Sequence, residues 1–264
     1  MDYQHIKVSL DDGIATITMC RAPQRNSLSE EHIRELLAAF QAVADSDARG
    51  IILAAEGPVF CSGHDFNDMK DRSLDEMREL LAVCAEFMQL VQHIPQPVVA
   101  QVEGLATAAG CQLVASCDMA VAGESTGFQT PGGQGGWFCH TPGVALVRAI
   151  GKKRALEMLF TGDRIDAKTA ADWGLINRVV ADADVAREAR AFLERATRGS
   201  SQSKAEGKVA FYRQADLDTA EAYTFSSEVM ATTSQSADAK ENTSAFLEKR
   251  KPNFVGRRAK NDAT

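Results

Sequence analysis

The run Gly104-Leu-Ala-Thr-Ala-Ala-Gly-Cys-Gln-Leu-Val-Ala-Ser-Cys-Asp118 carries most of the structural information in this chain. It opens with small residues over 104–110 and passes directly into a short apolar helical segment over 111–116. Before it lies Val98-Val-Ala-Gln-Val102 and after it Met119-Ala-Val-Ala122, both with the apolar, β-branched character of buried strands. Strand, small-residue turn, helix and strand in succession predict an α/β fold. Interior glycine costs conformational entropy, so the lack of bulk at 104–110 predicts backbone brought close to a ligand or to another backbone. The same reasoning applies to 127–143, which holds six glycines and two prolines.

Outward from this point the pattern stays regular. Residues 5–19 alternate around Asp11-Asp12-Gly13 and predict a hairpin, with Ile6, Val8 and Leu10 on one side and Ile14, Ile17 and Met19 on the other. Ser29 before Glu30 and Glu31 reads as the N-cap of a helix whose apolar residues Ile33, Leu36, Leu37, Phe40 and Val43 recur at helical spacing. Residues 50–54 predict a buried strand, 56–65 a loop of small residues, and 74–93 a helix through Met77, Leu81, Cys84, Phe87, Met88 and Val91, closed by Pro95 and Pro97. Beyond Ile150 helices are predicted over 152–160, 166–172, 183–197, 203–214, 218–234 and 237–249, with an extended piece at 176–180. Strands alternating with helices, then helices alone, give an α/β core followed by a helical C-terminal region.

Composition narrows the function. At ~150 residues per domain, 264 residues make about two units, or one large unit with an appendage. The charge sum of 29 minus 36 is −7, which leaves no basic field for nucleic acid. No apolar run approaches the ~18 residues that cross a bilayer, so no membrane partner is expected. The six cysteines are scattered without a C-x-x-C pair, which predicts reduced thiols and a cytoplasmic protein. The N-terminal residues, with Asp2, Asp11 and Asp12, predict neither secretion nor organelle import. Five well-separated histidines predict no metal site. G-x-x-x-x-G-K is absent, and no G-x-G-x-x-G follows a strand, so nucleotide readings fail.

Seven stretches, in order along the chain, resemble the crotonase, or enoyl-CoA hydratase/isomerase, superfamily. They are Arg21-Ala-Pro-Gln-Arg-Asn-Ser-Leu28, Phe60-Cys-Ser-Gly-His-Asp65, Gln96-Pro-Val-Val-Ala-Gln-Val-Glu-Gly104, Ala108-Ala-Gly-Cys111, Cys117-Asp118, Gly162-Asp163 with Gly174-Leu175, and Phe246-Leu-Glu-Lys-Arg-Lys-Pro252. The 104–118 run and Thr141-Pro-Gly-Val-Ala-Leu146 look like the branch called enoyl-CoA hydratase domain-containing protein 3, which brings no defined reaction with it. The resemblance implies a spiral of ββα units over 1–195, a helical oligomerisation region over 196–264, and a homotrimer or dimer of trimers. It implies an acyl-CoA ligand, with coenzyme A as part of the substrate and no covalently bound cofactor. The backbone N–H groups of His64 and Ala109 would form the oxyanion hole that stabilises a thioester enolate. Coenzyme A would lie near Arg21, Arg25, Asn26, Ser62, Asp65 and Lys249.

Two positions depart from the family. Hydratases carry glutamates that activate water and exchange a proton, and here those positions hold Gln112 and Gly132. Glutamine has no useful basicity and glycine has no side chain. Each general acid or base contributes about 10²–10⁴-fold, so ordinary hydration should nearly vanish. His140 is a candidate replacement base, and Cys61 and Cys139 are candidate nucleophiles only with a histidine at short range. The expected function is therefore an acyl-CoA-binding family member with a non-standard site. The alternatives are a catalytically silent acyl-CoA-binding or regulatory protein, or a malonyl-type CoA decarboxylase. Gly63-His64-Asp65 resembles the decarboxylases, but Phe138 stands where they have tyrosine.

Overall fold

The computed structural model describes residues 2–255. In chain order its first half contains β1 (Ile6–Asp11), β2 (Ile14–Met19), α1 (Glu30–Ala44), β3 (Gly50–Ala55), α2 (Phe66–Met69), α3 (Leu74–His93), β4 (Val98–Val102), β5 (Leu105–Thr107), α4 (Ala109–Ser116) and β6 (Met119–Gly123). The second half contains β7 (Gly127–Gln129), α5 (His140–Thr161), β8 (Ile165–Asp166), α6 (Ala167–Trp173), β9 (Arg178–Val180), α7 (Val185–Ala196), α8 (Ser201–Ala215), α9 (Thr219–Thr233) and α10 (Ala237–Leu247).

A six-stranded sheet runs in the order β1-β2-β3-β4-β6-β9, with β1 antiparallel to β2 and the rest parallel. A smaller sheet runs β5-β7-β8, and Cys61 bridges to Ala106 at its edge. Each turn of the chain therefore sends one stretch to the large sheet, one to the small sheet and then a helix: β3, Cys61 and α3; β4, β5 and α4; β6, β7 and α5. The expected α/β core with a helical C-terminal region is the observed architecture.

The central strands are apolar throughout because both faces of the large sheet are covered. On one face Ile17, Leu53 and Ala100 pack into the main core with Phe40, Phe87 and Leu113. On the other face Ile14, Ile52, Val99 and Val121 pack beneath Val185, Ala189 and Leu193 of α7. β1 is an edge strand: Ile6 is buried, but Val8 and Leu10, expected to share its apolar face, are exposed. Nothing in the described residues covers that side.

Local signals explain most element boundaries. Ser29 accepts from the His32 N–H and caps α1, and Ser73 with Glu76 forms a full capping box at α3. The helix expected at 152–160 is longer, because α5 begins at His140 and breaks at Gly151, where φ is +74°. Pro142 and Gly143 look like loop residues in sequence. Proline is tolerated in a first helical turn, where its missing N–H would have had no partner. β5, β7 and β8 have two or three residues each, too few to carry a readable alternation. No helix among the described residues is long and apolar enough to cross a membrane.

One buried ion pair fastens α8 to the core. The Lys208 ammonium donates to Asp118 Oδ2 at 2.7 Å, to Val91 O at 2.7 Å and to Gln96 O at 2.9 Å. Tyr212 OH donates to Asp118 Oδ1 at 2.9 Å, and the Val98 N–H to Oδ2 at 2.7 Å. Burial pushes the Asp118 carboxyl up and the Lys208 amine down, and their mutual attraction opposes both shifts. Lys208→Met leaves a buried carboxylate without its cation and is expected to cost about 3–5 kcal/mol, read by equilibrium urea unfolding. The double variant with Asp118→Asn is expected to lose less than the sum of the single changes.

Candidate functional site

The site is built where residues 61–65 meet the start of α4. Leu28 bridges to His64, with the Leu28 N–H donating to Gly63 O at 2.8 Å and the Asp65 N–H donating to Leu28 O at 3.1 Å. Both bonds use the neighbours of His64, so its own N–H stays outside the ladder. Ala109 is the first residue of α4, and its N–H is one the helix cannot satisfy. Between them the backbones nearly touch. A Cβ on Gly63, at φ +88°, would lie 2.9 Å from Ala108 Cβ and 3.3 Å from Ala109 N. A Cβ on Gly110 would lie 2.2 Å from Cys61 O. Ala108 holds φ +51° and ψ −118°, a conformation costing about 1–3 kcal/mol, and is pinned by its N–H to Gln129 O at 3.0 Å. The result is a pair of N–H groups, one at the positive end of a helix, suited to meet a developing negative oxygen.

These donors face a cavity of about 1040 Å³. Its lining ionisable groups are Arg25, His64, Asp65, Cys139 and His140, and no glutamate of the described residues lines it. Burial pushes the His64 imidazole down to about 4, so the ring is neutral at pH 7, and its Nδ1 is buried without a partner. Thr107 Oγ1, Thr130 Oγ1 and Gln112 Oε1 are also buried without partners. Of these, His64 and Thr107 line the cavity, where their free polar atoms can meet a ligand or water.

Gln112 and Gly132, the two positions where the resemblance leads one to expect glutamates, differ in setting. Gln112 is buried on α4 behind the cavity wall, whereas Gly132 lines the cavity. A Cβ on Gly132 would lie 2.2 Å from Trp137 O and 2.7 Å from Cys139 Sγ, so space, and not backbone conformation, demands glycine there. His140 is the exposed first residue of α5, its ring 5.1 Å from that of Phe138. Burial pushes the Cys61 thiol up to about 12 and raises that of Cys139, which keeps both protonated and poorly nucleophilic.

Arg21 donates to Asp65 Oδ2 at 3.0 Å, Ser27 O at 2.5 Å and Ser29 Oγ at 3.2 Å. Burial pushes the Asp65 carboxyl up, but the Ser27 hydroxyl, Arg21 and the Asn67 N–H outweigh it and hold the group below the ordinary range. Asn26 donates to Glu56 O at 2.9 Å and Val59 O at 2.8 Å, tying the 21–29 turn to the next loop. Of the residues expected near coenzyme A, Arg25, Ser62 and Asp65 line the cavity. Arg21 and Asn26 are engaged behind its wall, and Lys249 is exposed just after α10. His5, Glu31 and Glu35 form the one three-residue group among the described residues with metal-ligand proximity; none of them lines the cavity, and Glu35 already accepts the Gln4 and His5 N–H groups at 2.8 Å. Sequence reasoning gave no part to Trp137, Thr107 or Gln129, which also line the cavity. The one available signal was a tryptophan inside a glycine-rich segment.

His32 supports the same turn from below, its Nδ1 3.1 Å from Ser27 O, and burial pushes its imidazole down to about 4. The unfolded chain takes up a proton near pH 6.5 that the folded chain refuses until about pH 4. Stability is therefore expected to fall as pH drops through this window, by up to about 3 kcal/mol from this residue. Denaturant unfolding between pH 7 and pH 4 reads the slope, which His32→Gln should flatten.

The geometry has close counterparts. The enoyl-CoA hydratase/isomerase family pattern matches residues 9–257. Enoyl-CoA hydratase domain-containing protein 3, mitochondrial, of Mus musculus is 43% identical over 243 residues, covering 91% of this chain and 81% of that protein. The Homo sapiens protein of the same name is also 43% identical, covering 91% and 80%. An enoyl-CoA hydratase structure from Mycobacterium smegmatis superposes with a TM-score of 0.92 at 41% identity, covering 95% of this chain and 98% of that one. The human enoyl-CoA hydratase domain-containing protein 3 structure gives 0.91 at 42% identity, covering 95% and 100%. With the match running through residues 61–65, the start of α4 and nearly the whole fold, this chain belongs to the enoyl-CoA hydratase/isomerase family.

Proposed function

We propose that this protein binds acyl-CoA thioesters in the cavity, holds the thioester oxygen on the His64 and Ala109 N–H groups, and stabilises an enolate there without the usual pair of carboxylates. The observation that carries this reading is the meeting of two N–H donors left free of ladder and helix, forced together by Gly63 and Gly110. Donors fixed in place need no reorganisation as charge moves onto the oxygen. Coenzyme A enters as part of the substrate, with the exposed Arg25 at the mouth and the backbone of the 21–27 turn beside its phosphates and adenine. No covalently bound cofactor is required.

Proton transfer is where the site is poor. Gln112 has an amide in place of a base, and the space at Gly132 is taken by Trp137 O and Cys139 Sγ. This favours a binding or regulatory role over fast hydration. The decarboxylase reading is weaker, because Phe138 packs its ring on His140 and Phe160 and offers no hydroxyl. All six cysteines are free, which fits a reducing compartment, the cytoplasm or the mitochondrial interior that the names of the mammalian relatives give for those proteins.

The region 196–264 is proposed to build a homotrimer or a dimer of trimers, although 256–264 lie outside the described residues. Its helices leave Phe211, Tyr223, Met230 and Phe246 exposed, the last two at 78% and 81%, more apolar surface than a lone appendage would show. Tyr212, next to Phe211 on α8, turns inward and bonds to Asp118. Light scattering is expected to give a mass at least three times that of the 28.5 kDa chain.

Crotonyl-CoA is expected to bind, by calorimetry, and to lose its enoyl absorbance at a rate near background. Ala109→Pro removes one donor at a first helical position, and about tenfold weaker binding is expected with a melting curve recorded alongside. Fast hydration by the unaltered protein would overturn the account of proton transfer, and undiminished binding by Ala109→Pro would misplace the hole.

A further inference from the structure

Trp137 is 44% exposed, unusual for an indole that lines a cavity, and its ring centroid lies 6.5 Å from that of His64 at a tilt of 37°. His64 also supplies one of the two oxyanion donors. Whatever is bonded to a thioester carbon held there comes within reach of the indole.

The backbone shows that this placement is built. The Trp137 N–H donates to Gly132 O at 2.9 Å, and a Cβ on residue 132 would strike Trp137 O at 2.2 Å. The Gly135 N–H donates to the same Gly132 O at 3.1 Å, and Gln134 Nε2 donates to Thr161 O. Gly136 has φ +82° with nothing within 4 Å of its missing Cβ, so it is glycine for its conformation and not for lack of space. On the far side Phe138 is anchored against Phe160 at 5.7 Å. Loss of a side chain at 132 and presence of an indole at 137 are thus one arrangement: the room a carboxylate would need is occupied by the backbone that carries Trp137.

The charges around the indole say what it accepts. Asp65 is paired with Arg21, His64 is a neutral imidazole, and Cys139 is a protonated thiol. His140 is exposed against Phe138, and Arg25 is exposed on the 21–27 turn. An acyl group bearing a carboxylate would lose its hydration beside Trp137 without gaining a fixed cation, whereas an apolar acyl group gains by covering the indole.

We propose that Trp137 is the specificity-determining wall of the acyl subsite, set in place by the absence of a side chain at Gly132, and that it selects uncharged apolar acyl groups over carboxylate-bearing ones. This rests on the thioester-binding reading above. The chain has two tryptophans, so Trp173→Phe leaves Trp137 as the single indole reporter. Free coenzyme A, butanoyl-CoA and malonyl-CoA are titrated against this protein by fluorescence and against the unaltered chain by calorimetry. Butanoyl-CoA is expected to shift the Trp137 emission and to bind at least about tenfold more tightly than either of the others. Trp137→Ala is expected to remove that preference while leaving the affinity for free coenzyme A unchanged. Gly132→Ala, with the indole still present, is expected to reproduce the loss, with far-ultraviolet circular dichroism confirming that both variants fold. A preference that survives Trp137→Ala, or malonyl-CoA binding most tightly, would overturn the proposal. Equal binding of butanoyl-CoA and malonyl-CoA, both tighter than free coenzyme A, would overturn it and leave the thioester site standing. Failure of every ligand to bind the unaltered chain would remove the thioester reading and this proposal together.

Discussion

Everything at the centre of this protein depends on two stretches of backbone lying against each other with no side chain between them. Gly63 faces Ala108 and Ala109, and Gly110 faces the carbonyl of Cys61, at separations a single Cβ would make impossible. That contact lets Cys61 join the small sheet, seats the first turn of α4, and brings the free N–H groups of His64 and Ala109 to one place. Its cost is visible in Ala108, an alanine at positive φ that persists because the Gln129 carbonyl and the adjoining strands hold it.

The scaffold supplies the rigidity this arrangement requires. The large sheet is covered on both faces, so β3, β4 and β6 have little freedom to shift, and the loops leaving their C-terminal ends inherit fixed starting points. Asp118 stands where α4 gives way to β6. It binds the Val98 N–H, Lys208 and Tyr212 together, so α8 is tied to the same strands that position α4. Arg21 and Asp65 do the equivalent at the other wall, holding the 21–29 turn against the residue that follows His64.

Chemically the cavity is rich in directed dipoles and poor in groups that exchange protons. His64 is neutral, the thiols are protonated, Asp65 is held ionised by its partners, and the amide oxygen of Gln112 is buried without a partner. Such a site polarises a carbonyl far better than it moves a proton. The Trp137 segment adds to this balance, since it places an apolar ring beside His64.

The strand-turn-helix character of 98–116, the N-cap at Ser29, the helix over 74–93 and the helical C-terminal region were all legible in the chain, because each rests on local periodicity or on a capping contact a few residues away. So was the presence of an amide at 112 and of glycine at 132, which are matters of residue identity. What the chain alone left undecided depends on distant neighbours. β5, β7 and β8 are too short to show a period and exist only because they pair with one another. Val8 and Leu10 look like core residues until the edge position of β1 leaves them exposed. Arg21 and Tyr212 look like surface residues until Asp65, 44 positions away, and Asp118, 94 positions away, claim them. Trp137 stands beside His64, a contact between distant segments that no pattern along the chain encodes. Local propensity thus determined most of the helices and the longer strands, while long-range packing alone decided the short strands and which side chains face the cavity.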